Sequence, residues 1–183
     1  MQDLDTSTYV LQQEMEWLQR LLQYRNNQRS VDLRTIPTLT PPVLPRGVTA
    51  GYGALVEELN LDFENRLLLI LALAPTIAPQ FLDKEIGYWA RTIGNSPASD
   101  MLPVWGVVYG QMYRGILPSA LLYVFLLVGD QFAPRLALQR KIMYQQLRVM
   151  SESIVLLSDV PVCEPRLNGI LSIEQNYGLS LLL

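Results

Sequence analysis

The residue types and spacings that could carry chemistry gather between positions 105 and 115. Gly110-Gln111-Met112-Tyr113-Arg114-Gly115 has the glycine spacing of a phosphate-binding loop. Such a loop needs a lysine for the terminal phosphates and a Ser/Thr for magnesium directly afterwards. Ile116 and Leu117 stand in those places. Gly106, Gly110 and Gly115 are therefore expected to be turn residues with positive φ, and no ATP site is expected. A second set, Glu57, Glu58, Asp62 and Glu64, has the acidity for metal or acid/base work. It straddles a helix end and the next helix start, where carboxylates favour the N-terminal dipole, so capping and surface roles are expected. Cys163 sits in a proline-flanked loop with no basic neighbour before Arg166, and is expected to be an inert thiol.

Aromatic residues mark the same region differently. Trp105, Tyr109 and Tyr113 recur every four residues, with Arg114 beside them. Aromatic and arginine side chains are typical interface anchors, and equally typical of a loop folded onto its own core. These four, with Trp17 on the first helix, are the candidate partner-binding residues. No catalytic, cofactor-binding or metal-ligating residue is expected.

Composition narrows the alternatives. The 183 residues include no histidine and one cysteine, so Ser-His-Asp and Cys-His constellations, a His/Cys zinc site and an internal disulfide are excluded for this chain. Half of the residues are hydrophobic and 17% are charged, enough apolar matter for a sizeable core. The net charge of −3 and the dispersal of twelve arginines and two lysines argue against a nucleic-acid face. The apolar runs Leu67–Ala78 and Ile116–Gly129 fall short of the roughly 18 residues of a membrane span and are expected as buried helices. The N-terminus lacks a secretory layout, and the lone cysteine suits a reducing compartment, so the cytoplasm is the expected location.

The elements that must position these residues are mostly helical. Leu11, Met15, Leu18 and Leu22 recur at helical intervals from Thr6 to Asn27, widened by Trp17 and Leu21. Asp5, Thr6 or Ser7 is the expected cap. Pro37, Pro41, Pro42 and Pro45 then forbid regular helix, so the segment either holds the first helix apart from the body or straps it across. Short helices are expected at Tyr52–Leu59 and Phe63–Leu73, the latter capped by Asp62 and ended by Pro75. Further helices are expected at Gln80–Arg91 and Ser119–Val128, and from an Asp130 cap to about Val149. Thr92–Leu117 reads as irregular. Ile154–Leu157 and Gly169–Ile173 read as a small hairpin, and Ser172 with Gln175 as a capping box for a last helix. The expected fold is mainly α with a small β-hairpin. Residues 1–29 form a separate N-terminal amphipathic helix, 30–50 a proline-rich linker, and 51–183 a winged-helix-like helical domain.

Several stretches of residues 50–175 are similar to the N-terminal domain of AAA+ ATPases encoded with extracellular contractile injection systems, the phage-tail-like particles of the antifeeding-prophage type. The resemblance rests on the leucine-rich run Leu67–Leu73 closing in Ala74-Pro75, followed by Pro79-Gln80-Phe81-Leu82-Asp83. It continues in the Gly106–Gly110 loop, Arg114-Gly115-Ile116-Leu117-Pro118, the apolar run into Gly129-Asp130, Glu164-Pro165, and Leu167-Asn168-Gly169-Ile170-Leu171-Ser172. The chain departs from the family at Tyr109, where a lysine is usual, and at Ser119-Ala120-Leu121-Leu122, where a polar Thr-Gly-Glu-Thr-like stretch is usual. No Walker A or Walker B motif is present.

What the resemblance implies is a non-catalytic bacterial adaptor or recognition domain. It would bind protein partners, either a particle component or a neighbouring ATPase subunit, while ATP hydrolysis occurs in a module outside this chain. No cofactor is implied. The alternative is a stand-alone structural or accessory protein that homo-oligomerises through its N-terminal helix. The chain is accordingly expected to be an excised domain or a relative without the motor.

Overall fold

The computed structural model describes residues 2–45, 47–92, 107–110, 112–113 and 115–182, with backbone alone at 2–5, 87–92, 107 and 109. At its centre lies α3 (Phe63–Ile77). Its apolar run is hydrophobic on every side, so it must be surrounded, and Leu67 through Leu71 are all fully buried. Burying each such side chain contributes roughly 1.5–3 kcal/mol. Asp62 starts the helix as expected, its carboxylate accepting from the Asn65 amide at 3.0 Å. Pro75 lies inside the last turn and does not end the helix, which continues to Ile77.

On α3 pack α1 (Gln2–Asn27) and α4 (Phe81–Thr92), and α2 (Gly51–Glu58) packs on α1. Two more helices follow, α5 (Ala120–Val128) and α6 (Phe132–Met143), then the short α7 (Arg148–Ser151) and α8 (Gln175–Ser180). Ser119 caps α5 by accepting from the Leu122 amide at 3.1 Å. Asp130 does not cap α6. Gln131 takes that position, and the Asp130 amide instead donates to the Arg29 carbonyl at 2.9 Å. The helix expected to reach Val149 breaks after Met143, and α7 restarts the turn. The Ser172–Gln175 capping box is also replaced: the Glu174 carboxylate accepts from the Asn176 amide at 2.8 Å and starts α8.

The structure is mainly α with small antiparallel β pairings. β3 (Val155–Leu157) pairs with β4 (Leu171–Ile173) in the register Leu156↔Ser172, the hairpin anticipated from sequence. A second pairing lies within the stretch expected to be irregular. β1 (Val107–Tyr109) pairs with β2 (Ile116–Pro118), with Tyr109 opposite Ile116. The glycines and prolines of that stretch read as turn and loop signals and masked its short apolar runs.

The first helix does not stand apart. Trp17, Leu18, Leu21 and Leu22 are fully buried in the same core as α3 and α5, and α1 packs on α2, α3 and α4. The proline segment is a strap: it inserts Leu33 and Leu39 into that core. Of the two arrangements open at the sequence level, this one wins because it buries the apolar stripe of α1.

Buried polar groups lock the strap. Glu14 on α1 is fully buried and accepts from the Tyr52 hydroxyl at 3.0 Å and from the Arg66 guanidinium. Arg66 also donates to the Pro42 carbonyl at 2.9 Å, so α1, α2, α3 and the strap meet at one point. Arg25 is fully buried too. Its guanidinium donates to the carbonyls of Leu126 (3.0 Å) and Leu127 (3.1 Å) at the end of α5, and to Gln28, Arg29 and Val31 beyond α1. One fork thus satisfies the terminal carbonyls of two elements. Burial lowers its pKa to about 10, against the opposing charges of Asp130 and Asp32.

Candidate protein-docking site

The β1–β2 hairpin sits over the junction of α3 and α4, and local contacts hold it there. The Gly110 amide donates to the Gly115 carbonyl at 2.9 Å and closes the turn. The Asp83 carboxylate, on the first turn of α4, accepts from the Ile116 amide at 3.2–3.3 Å. The Tyr113 hydroxyl donates to the carbonyl of Pro79 and, at 3.4 Å, lies near that of Pro75. Pro75 lies in the last turn of α3, and Pro79, four residues on, has no N–H to give its carbonyl, so the phenol completes it.

Crowding explains the glycines of this turn. Neither Gly110 nor Gly115 adopts positive φ, contrary to expectation. A Cβ on Gly115 would lie 2.6 Å from Cε1 of Tyr113 and 2.8 Å from Oδ2 of Asp83. The glycine is there to let the tyrosine ring and the carboxylate approach the backbone. Gly106 lies outside the described residues.

Below the hairpin opens a cleft of about 1020 Å³, lined by Ala78, Pro79, Phe81, Tyr113 and the polar Gln80, Asp83 and Lys84. Tyr113 is half-buried in its wall. Its phenol pKa is raised, first by partial burial and then by the Asp83 carboxylate, so it stays a neutral donor. Gln80 and Lys84 are exposed on the rim. An apolar floor with a polar rim can accept a partner's apolar side chain and hold its flanks by hydrogen bonds.

The other sequence-predicted residues separate into three groups. Trp105 and Arg114 lie outside the described residues. Tyr109 belongs to β1, and its backbone pairs with Ile116. Trp17 is a correction: it is fully buried and cannot anchor a partner. Its indole N–H donates to the Leu39 carbonyl at 2.7 Å, its ring meets Phe63 edge-on at 5.1 Å, and Arg66 lies over it. Wide amphipathic stripes look alike whether they face a partner or their own core, and here the core takes it. The apolar stripe of α1 is consumed the same way.

The acidic set does not converge. Glu57 and Glu58 are exposed on α2, and Asp62 is the cap of α3. Glu64, expected on the surface, is buried and accepts from Arg34 and from Lys141 Nζ at 2.8 Å. Cys163 is exposed in the β3–β4 connection. Among the described residues no group of three or more His, Cys, Asp or Glu is placed to hold a metal ion. Asp83, missed as a site residue, was signalled only by the Pro79–Asp83 run, and Lys84 follows directly on it; sequence alone brings neither next to Tyr113. No helix among the described residues is long and apolar enough to cross a membrane.

No protein-family model, curated protein or solved structure matches this chain.

Proposed function

We propose that this chain is a non-catalytic adaptor or recognition domain. Its role would be similar to that of the N-terminal, winged-helix-like module of AAA+ ATPases of bacterial contractile injection systems. In this reading it works in the cytoplasm by binding a protein, a particle component or a neighbouring ATPase subunit, and ATP is hydrolysed in another module. The observation that carries the reading is the open cleft at the α3–α4 junction. Tyr113, a member of the aromatic series, forms its wall, and the Pro79–Asp83 run that contributes to the resemblance forms its floor.

In mechanism, an apolar side chain of the partner fills the space between Phe81 and Tyr113, and Gln80, Asp83 and Lys84 select its flanks. Since the cleft wall is fixed by the Asp83–Ile116 and Tyr113–Pro79 contacts, the surface is preformed and binding costs little ordering.

The test is a two-hybrid or co-purification assay against the injection-particle and ATPase products encoded in the same gene neighbourhood. Lys84→Glu on the exposed rim and Tyr113→Ala in the wall should each weaken capture at least about tenfold, as for an interface anchor. Circular dichroism should show both variants folded. Capture unchanged by Lys84→Glu and Tyr113→Ala in folded protein would overturn the reading.

A further inference from the structure

Helix α6, which the Tyr113 cleft does not use, is apolar on two opposite faces. Leu138 and Ile142 turn inward and are buried in the core. On the far side Phe132, Leu136 and Arg140 recur every four residues, and Tyr144 at the C-cap continues the row. Phe132, Leu136 and Tyr144 are 82%, 40% and 74% exposed. Ala133 and Ala137, in the next row, are exposed as well. The outer face of a surface helix is normally polar. Here the two aromatic rings alone leave on the order of 300 Å² in water, the scale at which an apolar patch marks a contact surface.

The charges of α6 lie mostly to the sides of this face and are already engaged. Arg135 donates to the Gly129 carbonyl at 2.9 Å and pairs with Asp130 at 3.8 Å. Lys141 pairs with Glu64 at 2.8 Å. Arg140 is different. It is exposed in the middle of the apolar row, and among the described residues its guanidinium has no hydrogen-bond or ion-pair partner.

We propose that the outer face of α6 is a homodimer contact, on which a second copy of this chain lays its own α6 about a two-fold axis at Leu136. Shape selects a second copy. Phe132, Leu136 and Tyr144 form a ridge along the i, i+4 row, and the alanines beside it form a furrow running the same way. A two-fold axis sets each ridge in the furrow of the other helix, so one face supplies both halves of the fit. Charge agrees with shape. With Leu136 beside Leu136 of the second copy, Arg140 of each chain comes to lie beside Phe132 of the other, since the two stand four residues from the axis in opposite directions. The unpaired guanidinium then rests on an aromatic ring, and the contact is made twice. An unrelated helix would have to bring its own match to ridge, furrow and cation together. A lipid surface makes no use of the furrow. Self-association also falls to α6 because the stripe of α1 is spent on the core.

Sedimentation equilibrium of the full chain should show monomer and dimer exchanging in the micromolar range, as for a small interface. A substitution at the axis acts from both sides. Leu136→Glu, which sets two carboxylates face to face, should weaken the dimer at least about a hundredfold, tenfold for each copy. Arg140→Glu and Phe132→Ala should each weaken it at least about tenfold. All three side chains are exposed, so circular dichroism should show the variants folded. In a Cys163→Ser background, Leu136→Cys should close to a covalent dimer with diamide as oxidant, and Gln12→Cys on the outer side of α1 should not. A chain that stays monomeric at millimolar concentration would overturn the proposal. So would a dimer indifferent to Leu136→Glu, or phosphatidylglycerol vesicles that bind the chain through Phe132 and leave it monomeric.

Discussion

Trp17 and Leu39 are joined by a 2.7 Å hydrogen bond from the indole N–H to the main-chain carbonyl, across a separation of 22 residues. This contact closes the proline strap over α1 inside the shared core. Trp17→Phe should keep most of the packing and cost about 1–3 kcal/mol, since it leaves a buried carbonyl unpaired. Trp17→Ala adds a cavity and should cost roughly 3–5 kcal/mol. Urea unfolding followed by circular dichroism should remain a single transition. Early release of α1, seen as proteolysis before residue 30 with the rest intact, would show that the helix and body are separable.

Glu14 offers a test with a sign. Burial raises its pKa above 4.5, against the opposing pull of Arg66 and the Tyr52 hydroxyl. A carboxyl with a raised folded pKa contributes stability that is full below its unfolded pKa and is lost as pH rises through the folded value. Glu14→Gln keeps the shape and an acceptor without the charge. It should match the parent below about pH 4.5 and become the more stable of the two as pH rises. Glu14→Ala strips Arg66 and Tyr52 of their partner and should cost about 3–5 kcal/mol. Denaturation midpoints from pH 4 to 8 decide the matter. A Glu14→Gln variant much weaker than the parent at neutral pH would mean that Arg66 outweighs burial.

Gly129 ends α5 at φ +59. A Cβ there would fall 1.7 Å from the Arg29 carbonyl and 2.5 Å from the Arg25 guanidinium. Gly129→Ala must therefore push the α1–α5 junction open and should cost more than about 3 kcal/mol, beyond the roughly 1–2 kcal/mol of the left-handed backbone alone. Thermal unfolding measures the loss. A shift of only a few degrees would contradict the closeness of the two segments.

Gln145 and Ser153 take left-handed conformations, φ +50 and +57, just past the ends of α6 and α7. Both positions show the paired bonds of a Schellman ending, such as Ser153 to Met150 and Ile154 to Val149 at 2.9 Å. Glycine fits that backbone without strain. Gln145→Gly and Ser153→Gly should each raise stability by about 0.5–1 kcal/mol in a denaturation series. A loss in either would mean that its side chain makes a contact worth more than the strain.

Much of the helical framework was legible in sequence because its signals are local. The apolar runs at 67–78 and 116–129 announced buried segments, Asp62 announced the start of α3, and the β3–β4 hairpin showed as short apolar runs on either side of a proline-containing loop. The candidate site was legible only in part. Tyr113 and the Pro79–Asp83 run stood out singly, but nothing in their spacing placed them in one cleft. Trp17 misled, since a large aromatic on an amphipathic stripe gives no hint of which surface will cover it.

By itself, then, the sequence determined most of the helices, the exclusion of histidine- and disulfide-dependent chemistry and the amphipathic character of α1, all properties of neighbours or of composition. Tertiary structure decided what lies inside. Arg25 finds the Leu126 carbonyl 101 residues away, and Glu14 finds Arg66 52 residues away. Local periodicity extends over a few turns, whereas a buried charge is tolerable only where distant partners replace its water. Which charges are buried, and which cleft stays open, follow from that long-range closure.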